Sequence, residues 1–286
     1  MRKILVVILF SFIFLYACGV SKQNIGQNDF DSISSKSTFQ HFATEEDKNE
    51  ALFSHIDSCM ATIPQQHDSV IVAIDGLLDR FQNDTMNLRL AARHLYNIYL
   101  MSEMLGAENI TVHIADNYYL NNKVMNESVE FIAEVADYAK KFRATLIGKK
   151  AENLKMETIT GSFESLYDID SPFILVYFFD PGCRHCYLET PKIYRVFCKY
   201  KDTGLAGYCV YSQSNKEEWI NYVAKNRFVE WTNVWDPTNE NNFRKKYSLY
   251  TIPQAYLLDR DKNIIGRRLD ETSLSLLLDG LLNKNK

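Results

Sequence analysis

Two cysteines separated by two residues, Cys183 and Cys186, are the strongest chemical signal in this 286-residue chain. They enclose Arg184 and His185 and follow an uninterrupted apolar run at 173–179. Such a run predicts a central strand covered on both faces. The pattern after it predicts a helix over about 183–201, so the pair falls where a strand turns into a helix. Amides at a helix start have no intrahelical acceptor, and the helix dipole adds partial positive charge there. A thiolate at that spot is stabilised and its pKa falls. Cys183 is expected at the exposed tip and Cys186 one turn in, more buried. That assigns attack on a disulfide to Cys183 and resolution of the mixed disulfide to Cys186. His185 adds positive charge and a hydrogen-bond donor beside the Cys183 thiolate, which favours the reduced pair and makes the disulfide more oxidising. The alternative is an exposed histidine of little effect. Glu189 shares a helix face with Cys186 at i, i+3. If partly buried, it is placed to move a proton to or from Cys186. The alternative is a solvated carboxylate.

The elements that must position these groups divide the chain in two. Residues 44–150 read as all-helical. Thr44 and the acids after it start a helix that ends before Pro64. A second is predicted over 67–82. A third is capped by Asp84, with Leu88, Ala91, Ala92, Leu95, Ile98 and Tyr99 on one face and Gly106 at its end. A fourth covers 108–119, and a fifth 126–146 with a stripe of Phe131, Val135, Tyr138 and Phe142. Past Lys150 the pattern changes. Short β-prone pieces surround Gly161, and strands are expected at 173–179, 205–211, 232–235, 254–259 and 264–268. Helices are expected at 183–201, 215–226, 240–247 and 273–282. This alternation is an α/β layout with helices on both faces of one sheet.

The segment 174–191, ILVYFFDPGCRHCYLETP, resembles the thioredoxin superfamily, and most closely its extracytoplasmic TlpA/ResA-like branch. The short turn from central strand to CxxC, Glu189 three residues after Cys186 and Pro191 five after it carry the resemblance. Thr251-Ile252-Pro253, just before a strand, resembles the cis-proline loop that faces the CxxC. The resemblance implies a thioredoxin-like fold over about 155–286. It also implies that Ile252 and Pro253 present main chain to a substrate strand beside Cys183. A cis X-Pro bond is uncommon enough to mark a deliberate feature; a trans proline starting a strand is the alternative. The Arg184-His185 dipeptide resembles the x-His pair of disulfide isomerases and oxidases. The helical half resembles N-terminal domains attached to thioredoxin-like lipoproteins of Bacteroidetes-type bacteria. Two positions depart from the pattern: Gly182 stands where Trp often precedes the first cysteine, and Tyr177 stands six residues before it, where a polar or acidic group is common.

The N-terminus has its own signal. Met1-Arg2-Lys3 precedes an apolar run from Ile4 to Tyr16, too short to span a bilayer and typical of a signal peptide. Ala17-Cys18-Gly19 resembles a lipobox, which implies cleavage after residue 17 and lipidation of Cys18. A single uncleaved helical anchor is the alternative. Residues 18–43, rich in Ser, Gln and Asn, read as a flexible tether. Removing 1–17 leaves 30 basic against 36 acidic residues, a mildly acidic balance with no footprint for nucleic acid. With Cys18 assigned to lipid, five cysteines are left, and the odd number argues against a purely structural disulfide framework. Cys198 falls mid-helix and Cys209 in a strand. They do not form the second knuckle that zinc would require. Asp180 stands where a peroxidase of this superfamily would carry Thr. His113 and Asp116 at i, i+3 read as a solvated face, and Cys59 as a buried thiol.

The expectation is therefore an α/β thioredoxin-like fold at the C-terminus preceded by a separate all-α domain. The function expected is thiol–disulfide exchange with protein thiols and disulfides in the periplasm. The protein would be held to a membrane, the outer one, by lipid on Cys18. A membrane redox protein would reset the pair, and no metal or other cofactor is needed. The direction of transfer is left open. The competing reading is a non-catalytic scaffold that uses the thioredoxin-like region to dock.

Overall fold

The computed structural model describes residues 44–283; Cys18, the signal peptide and the tether lie outside the described residues. The helical half contains α1 (Glu45–Ala61), α2 (His67–Asp79), α3 (Thr85–Leu100), α4 (Ala107–Ile114) and α5 (Val129–Phe142), with a π-helical turn at Ala115–Tyr119. Caps set several of these starts. Asp84 accepts the Asn87 amide at 3.0 Å, and Ser128 accepts the Phe131 amide at 3.2 Å. Each satisfies an otherwise orphaned helix donor. Val70, Ile74, Leu78, Ala91, Leu95, Ile110 and Val135 are fully buried.

Three expectations need correction. The third helix ends at Leu100, and Gly106 instead heads α4. Gly106 has φ of 84°, and a side chain there would meet His67 Nδ1 at 2.8 Å, so only glycine fits. Ile98 is 37% exposed, and Tyr96 fills the buried stripe in its place. The fifth helix spans Val129–Phe142 rather than 126–146, because Ser128 fixes its start.

The second half carries β1 (Lys155–Thr158), β2 (Phe163–Ser165), β3 (Phe173–Phe179), α6 (Arg184–Tyr200), β4 (Leu205–Tyr211), α7 (Lys216–Asn226), β5 (Thr232–Trp235), α8 (Phe243–Lys246), β6 (Gln254–Asp259), β7 (Ile264–Arg267) and α9 (Glu271–Asn283). The strands form one sheet in the order β2-β1-β5-β4-β3-β6-β7. β3, β4 and β5 run parallel, while β6 and β7 are antiparallel. Successive residues of β3 point to opposite faces. Leu175, Tyr177 and Phe179 join the core with Cys186, Ile193 and Trp219. Ile174, Val176 and Phe178 join the opposite core with Leu154, Phe243 and Tyr247. This explains why all seven β3 residues are apolar. The eighth helix is shorter than expected, beginning after Asn242 rather than at 240. The last starts two residues earlier than expected, at Glu271. Asp270 caps that last start, accepting the Ser273 amide at 2.7 Å.

The segment after α5 runs beside the turn that leads into β7 and the first residue of that strand. The Gly148 amide donates to the Ile264 carbonyl, the Ile264 amide to Lys149, and the Ala151 amide to Lys262, each at 2.8 Å. Asn109 of α4 grips the same segment, donating to the Ile147 carbonyl at 2.9 Å and accepting its amide at 3.1 Å. No helix among the described residues is long and apolar enough to cross a membrane.

Candidate active site around Cys183 and Cys186

The turn Asp180-Pro181-Gly182 delivers the chain from β3 to α6. The Asp180 carboxylate accepts the Gly182 amide at 2.7 Å and the Gln213 side-chain amide at 2.8 Å. A Cβ at Gly182 would lie 3.2 Å from that carboxylate. The bond that shapes the turn therefore favours the smallest residue, which accounts for Gly182 where a bulky aromatic is common.

Cys183 is the residue just before the first turn of α6, with extended backbone (φ −83°, ψ 120°), and is half-buried. Cys186 is fully buried one turn later. Both are free thiols. The Cys186 sulfur accepts the Asp180 amide at 3.4 Å. Burial pushes the Cys186 thiol up to about 12, against the opposing pull of that amide; the neighbouring Cys183 raises it further. The Cys183 thiol points to the Ile252 carbonyl at 3.9 Å. The Ile252–Pro253 peptide bond is cis. Two segments 69 residues apart in sequence are thus brought together at the sulfur.

The other expected site residues border one cavity of about 390 Å³. His185 and Glu189 line it from α6, and Pro253 from the facing loop. His185 is exposed, and among the described residues no hydrogen bond joins it to Cys183. The Cys183 thiol is directed to Ile252 instead. The Glu189 side chain is 21% exposed, with its carboxylate 2.7 Å from Lys192 Nζ. Tyr177, six residues before Cys183, is buried, and its hydroxyl meets Thr190 Oγ1 at 3.1 Å. Burial raises the Tyr177 phenol well above its ordinary range. Pro191 lies inside α6, where the preceding Thr190 is buried against β3.

The remaining candidates separate from the site. Cys209 is buried in β4 and Cys198 half-buried in α6, and among the described residues no three metal-ligating side chains gather. His113 pairs with Asp75 at 2.7 Å, and Asp116 pairs with Arg143, so neither faces the other. Cys59 is half-buried, 3.4 Å from the His55 ring, and burial raises its thiol.

No family model matches the chain. Among curated proteins, the thiol–disulfide oxidoreductase ResA of Bacillus cereus is 24% identical over 141 residues, spanning 48% of this chain and 78% of that one. A domain of a possible thiol-disulfide isomerase from Cytophaga hutchinsonii is 34% identical, covering 49% of this chain and 97% of that one, with a TM-score of 0.45. The chain is similar to TlpA/ResA-like proteins of the thioredoxin superfamily. A thioredoxin-like protein from Bacteroides caccae shares the fold over more of the length, covering 86% of this chain and 87% of that one at 18% identity and a TM-score of 0.61. Thiol–disulfide redox chemistry is the family-level function of this TlpA/ResA-like chain.

Sequence reading missed the far wall of the cavity, which holds Phe142, Tyr250, Arg267 and Arg268. One signal was present. Arg267 and Arg268 are adjacent at the end of a strand, where successive side chains face opposite sides. One of them must therefore turn inward.

Proposed function

We propose that the chain is a membrane-anchored thiol–disulfide oxidoreductase that acts on protein disulfides in the periplasm through Cys183 and Cys186. The observation that carries this reading is the half-buried Cys183 sulfur beside the Ile252 carbonyl, with the buried Cys186 sulfur one turn behind it. A substrate strand along Ile252 and Pro253 would bring its disulfide to Cys183. The Cys183 thiolate attacks one substrate sulfur, forming an inter-protein disulfide and releasing the other as a thiolate. Cys186 then loses its proton and attacks the Cys183 sulfur. The second substrate thiolate leaves, the protein dithiol becomes a disulfide, and two electrons have passed to the substrate. Reversal oxidises a substrate dithiol.

Burial keeps Cys186 protonated until a base takes its proton, so the proposed role of Glu189 is to accept it through water. His185 is proposed to favour the dithiol form electrostatically, placing the couple on the oxidising side of a simple reductant. A membrane redox protein would return the pair to its starting state. Lipid on Cys18 would hold the protein to the outer membrane, with the polar stretch after it as tether. Replacing Cys183 with Ala tests the core of this reading. Reduction of a disulfide-linked protein should fall to the uncatalysed rate, whereas undiminished activity would favour a docking role and overturn the mechanism.

A further inference from the structure

In the cavity that His185, Glu189 and Pro253 line beside the cysteine pair lies a group that thiol exchange does not use. The Arg267 side chain is 1% exposed, and none of its three guanidinium nitrogens has a hydrogen-bond partner. It lies 4.9 Å from the Phe142 ring centroid and 5.8 Å from that of Tyr256. Its nearest carboxylate, Glu108, stands 4.0 Å from Nε. The same Glu108 oxygen is 3.1 Å from Arg268 Nη1, and Glu108 is itself 5% exposed. One carboxylate thus faces two guanidinium groups, leaving one positive charge uncompensated. Burying a guanidinium without hydrogen bonds is costly, and such groups normally find acceptors. The other carboxylates lining the cavity are already engaged: Glu189 by Lys192, and Asp270 by the Ser273 amide and hydroxyl.

The backbone favours the same site. Arg268 has φ of 52° and Ser248 φ of 49°, and both line this cavity. Left-handed backbone at residues other than Gly and Asn is uncommon and concentrates where side chains are held for a function. Arg268 differs from Arg267 in being 64% exposed, so its remaining donors are open to a ligand.

We propose that Arg268, backed by Arg267, forms a carboxylate-recognition subsite in the cavity wall, for a carboxylate carried beside the disulfide that Cys183 attacks. It rests on the disulfide exchange proposed above and deepens it by naming the substrate class. The guanidinium fork accepts a carboxylate in two parallel bonds. The buried Arg267 charge adds an attraction that solvent screens weakly. The carboxylate has two sources, an acidic residue next to a polypeptide's cystine or a small disulfide acid, and both present the same chemistry.

The test uses the reduced protein and three small disulfides: 3,3′-dithiodipropionate, neutral hydroxyethyl disulfide and cationic cystamine. Each rate is divided by that of dithiothreitol with the same disulfide, which removes intrinsic reactivity. A parallel arm compares two disulfide-linked peptides that differ by Glu or Gln beside the cystine. The carboxylate should gain about threefold over the neutral partner, the size of one ion pair at an exposed guanidinium. That ratio should shrink with added salt and fall toward one in Arg268→Gln and in Arg267→Gln. Arg268 is exposed, so its variant carries the result even where the buried Arg267 variant fails to fold. A preference confined to the peptides identifies a polypeptide substrate, and one shared by both arms identifies the carboxylate itself. Equal normalised rates for charged and neutral disulfides would overturn the subsite and leave the proposed exchange standing. A preference unchanged in Arg268→Gln would overturn its assignment to this wall. Failure to consume any disulfide would overturn the exchange reading and the subsite with it.

Discussion

The cysteine pair and the ionic wall of the neighbouring cavity are built in different ways. The cysteine pair is local: Cys183, Cys186 and Glu189 come from one turn and one helix, faced by Ile252 and Pro253. The ionic wall is long-range, bringing Glu108 of α4 and Phe142 of α5 against Arg267 and Arg268 at the end of β7. The Arg268–Glu108 bond spans 160 positions of sequence. Disulfide chemistry needs two sulfurs at a fixed spacing, which a helix start supplies unaided. The ionic wall needs partners from further away, and the helical half supplies its carboxylate, Glu108, and an aromatic cover, Phe142. The helical half is therefore part of the site's electrostatics as well as of the fold.

The largest expected effect breaks the cysteine pair from within. Cys186→Ala should leave Cys183 able to attack but unable to be released. Mixed disulfides should accumulate, detectable by mass spectrometry, and turnover should fall on the order of a thousandfold with loss of the intramolecular partner. Burial raises the Cys186 thiol to about 12, above its unfolded value, so the folded protein binds the extra proton between those two values. Stability of the reduced protein should therefore decline as pH rises through that alkaline window, and Cys186→Ala should remove that component. Urea titrations of both proteins from pH 8 to 11 would measure it, and equal slopes would contradict the assignment.

An intermediate effect is expected on the ionic wall. Glu108→Gln keeps the shape and one acceptor but leaves two guanidinium groups without their shared negative charge. Loss of one member of a buried charge cluster should cost about 3 kcal/mol in a denaturant midpoint measurement. A change within about 0.5 kcal/mol would mean that the wall is not electrostatically organised. The smallest effect concerns the rim. His185→Pro should lower the reduction potential on the order of 20 mV, because an exposed charge without a hydrogen bond to the sulfur shifts the couple modestly. A rise would contradict the electrostatic argument.

How much of this was legible follows the same division. The strands β3, β4, β5 and β6 match their apolar runs to the residue, since burial on both faces leaves little room for other composition. The cysteine pair and its place at the helix start were legible from spacing alone. Gly106 was read as a helix end because the signal for stopping and the signal for starting are the same residue; only the His67 ring packed over it shows which applies. His185 lies two positions past Cys183, on another side of the helix, and its ring stands in solvent. Glu108 was invisible, as an acid in the first turn of a helix reads as an ordinary dipole partner. Only the fold places it under two arginines.

The segment that crosses from α5 to β1 has a further consequence for how this molecule meets copies of itself. A bare outer strand offers a row of main-chain donors and acceptors that a neighbouring chain can extend, the usual seed of aggregates. Here Gly148 and Lys149 occupy the outward donor and acceptor of Ile264, where β7 begins, and Ala151 bonds Lys262 just before it. The opposite border ends in β2, a strand of only three residues. The connection between the two halves thus also acts as a selvedge, binding off the start of one border, while the other is too short to template much growth.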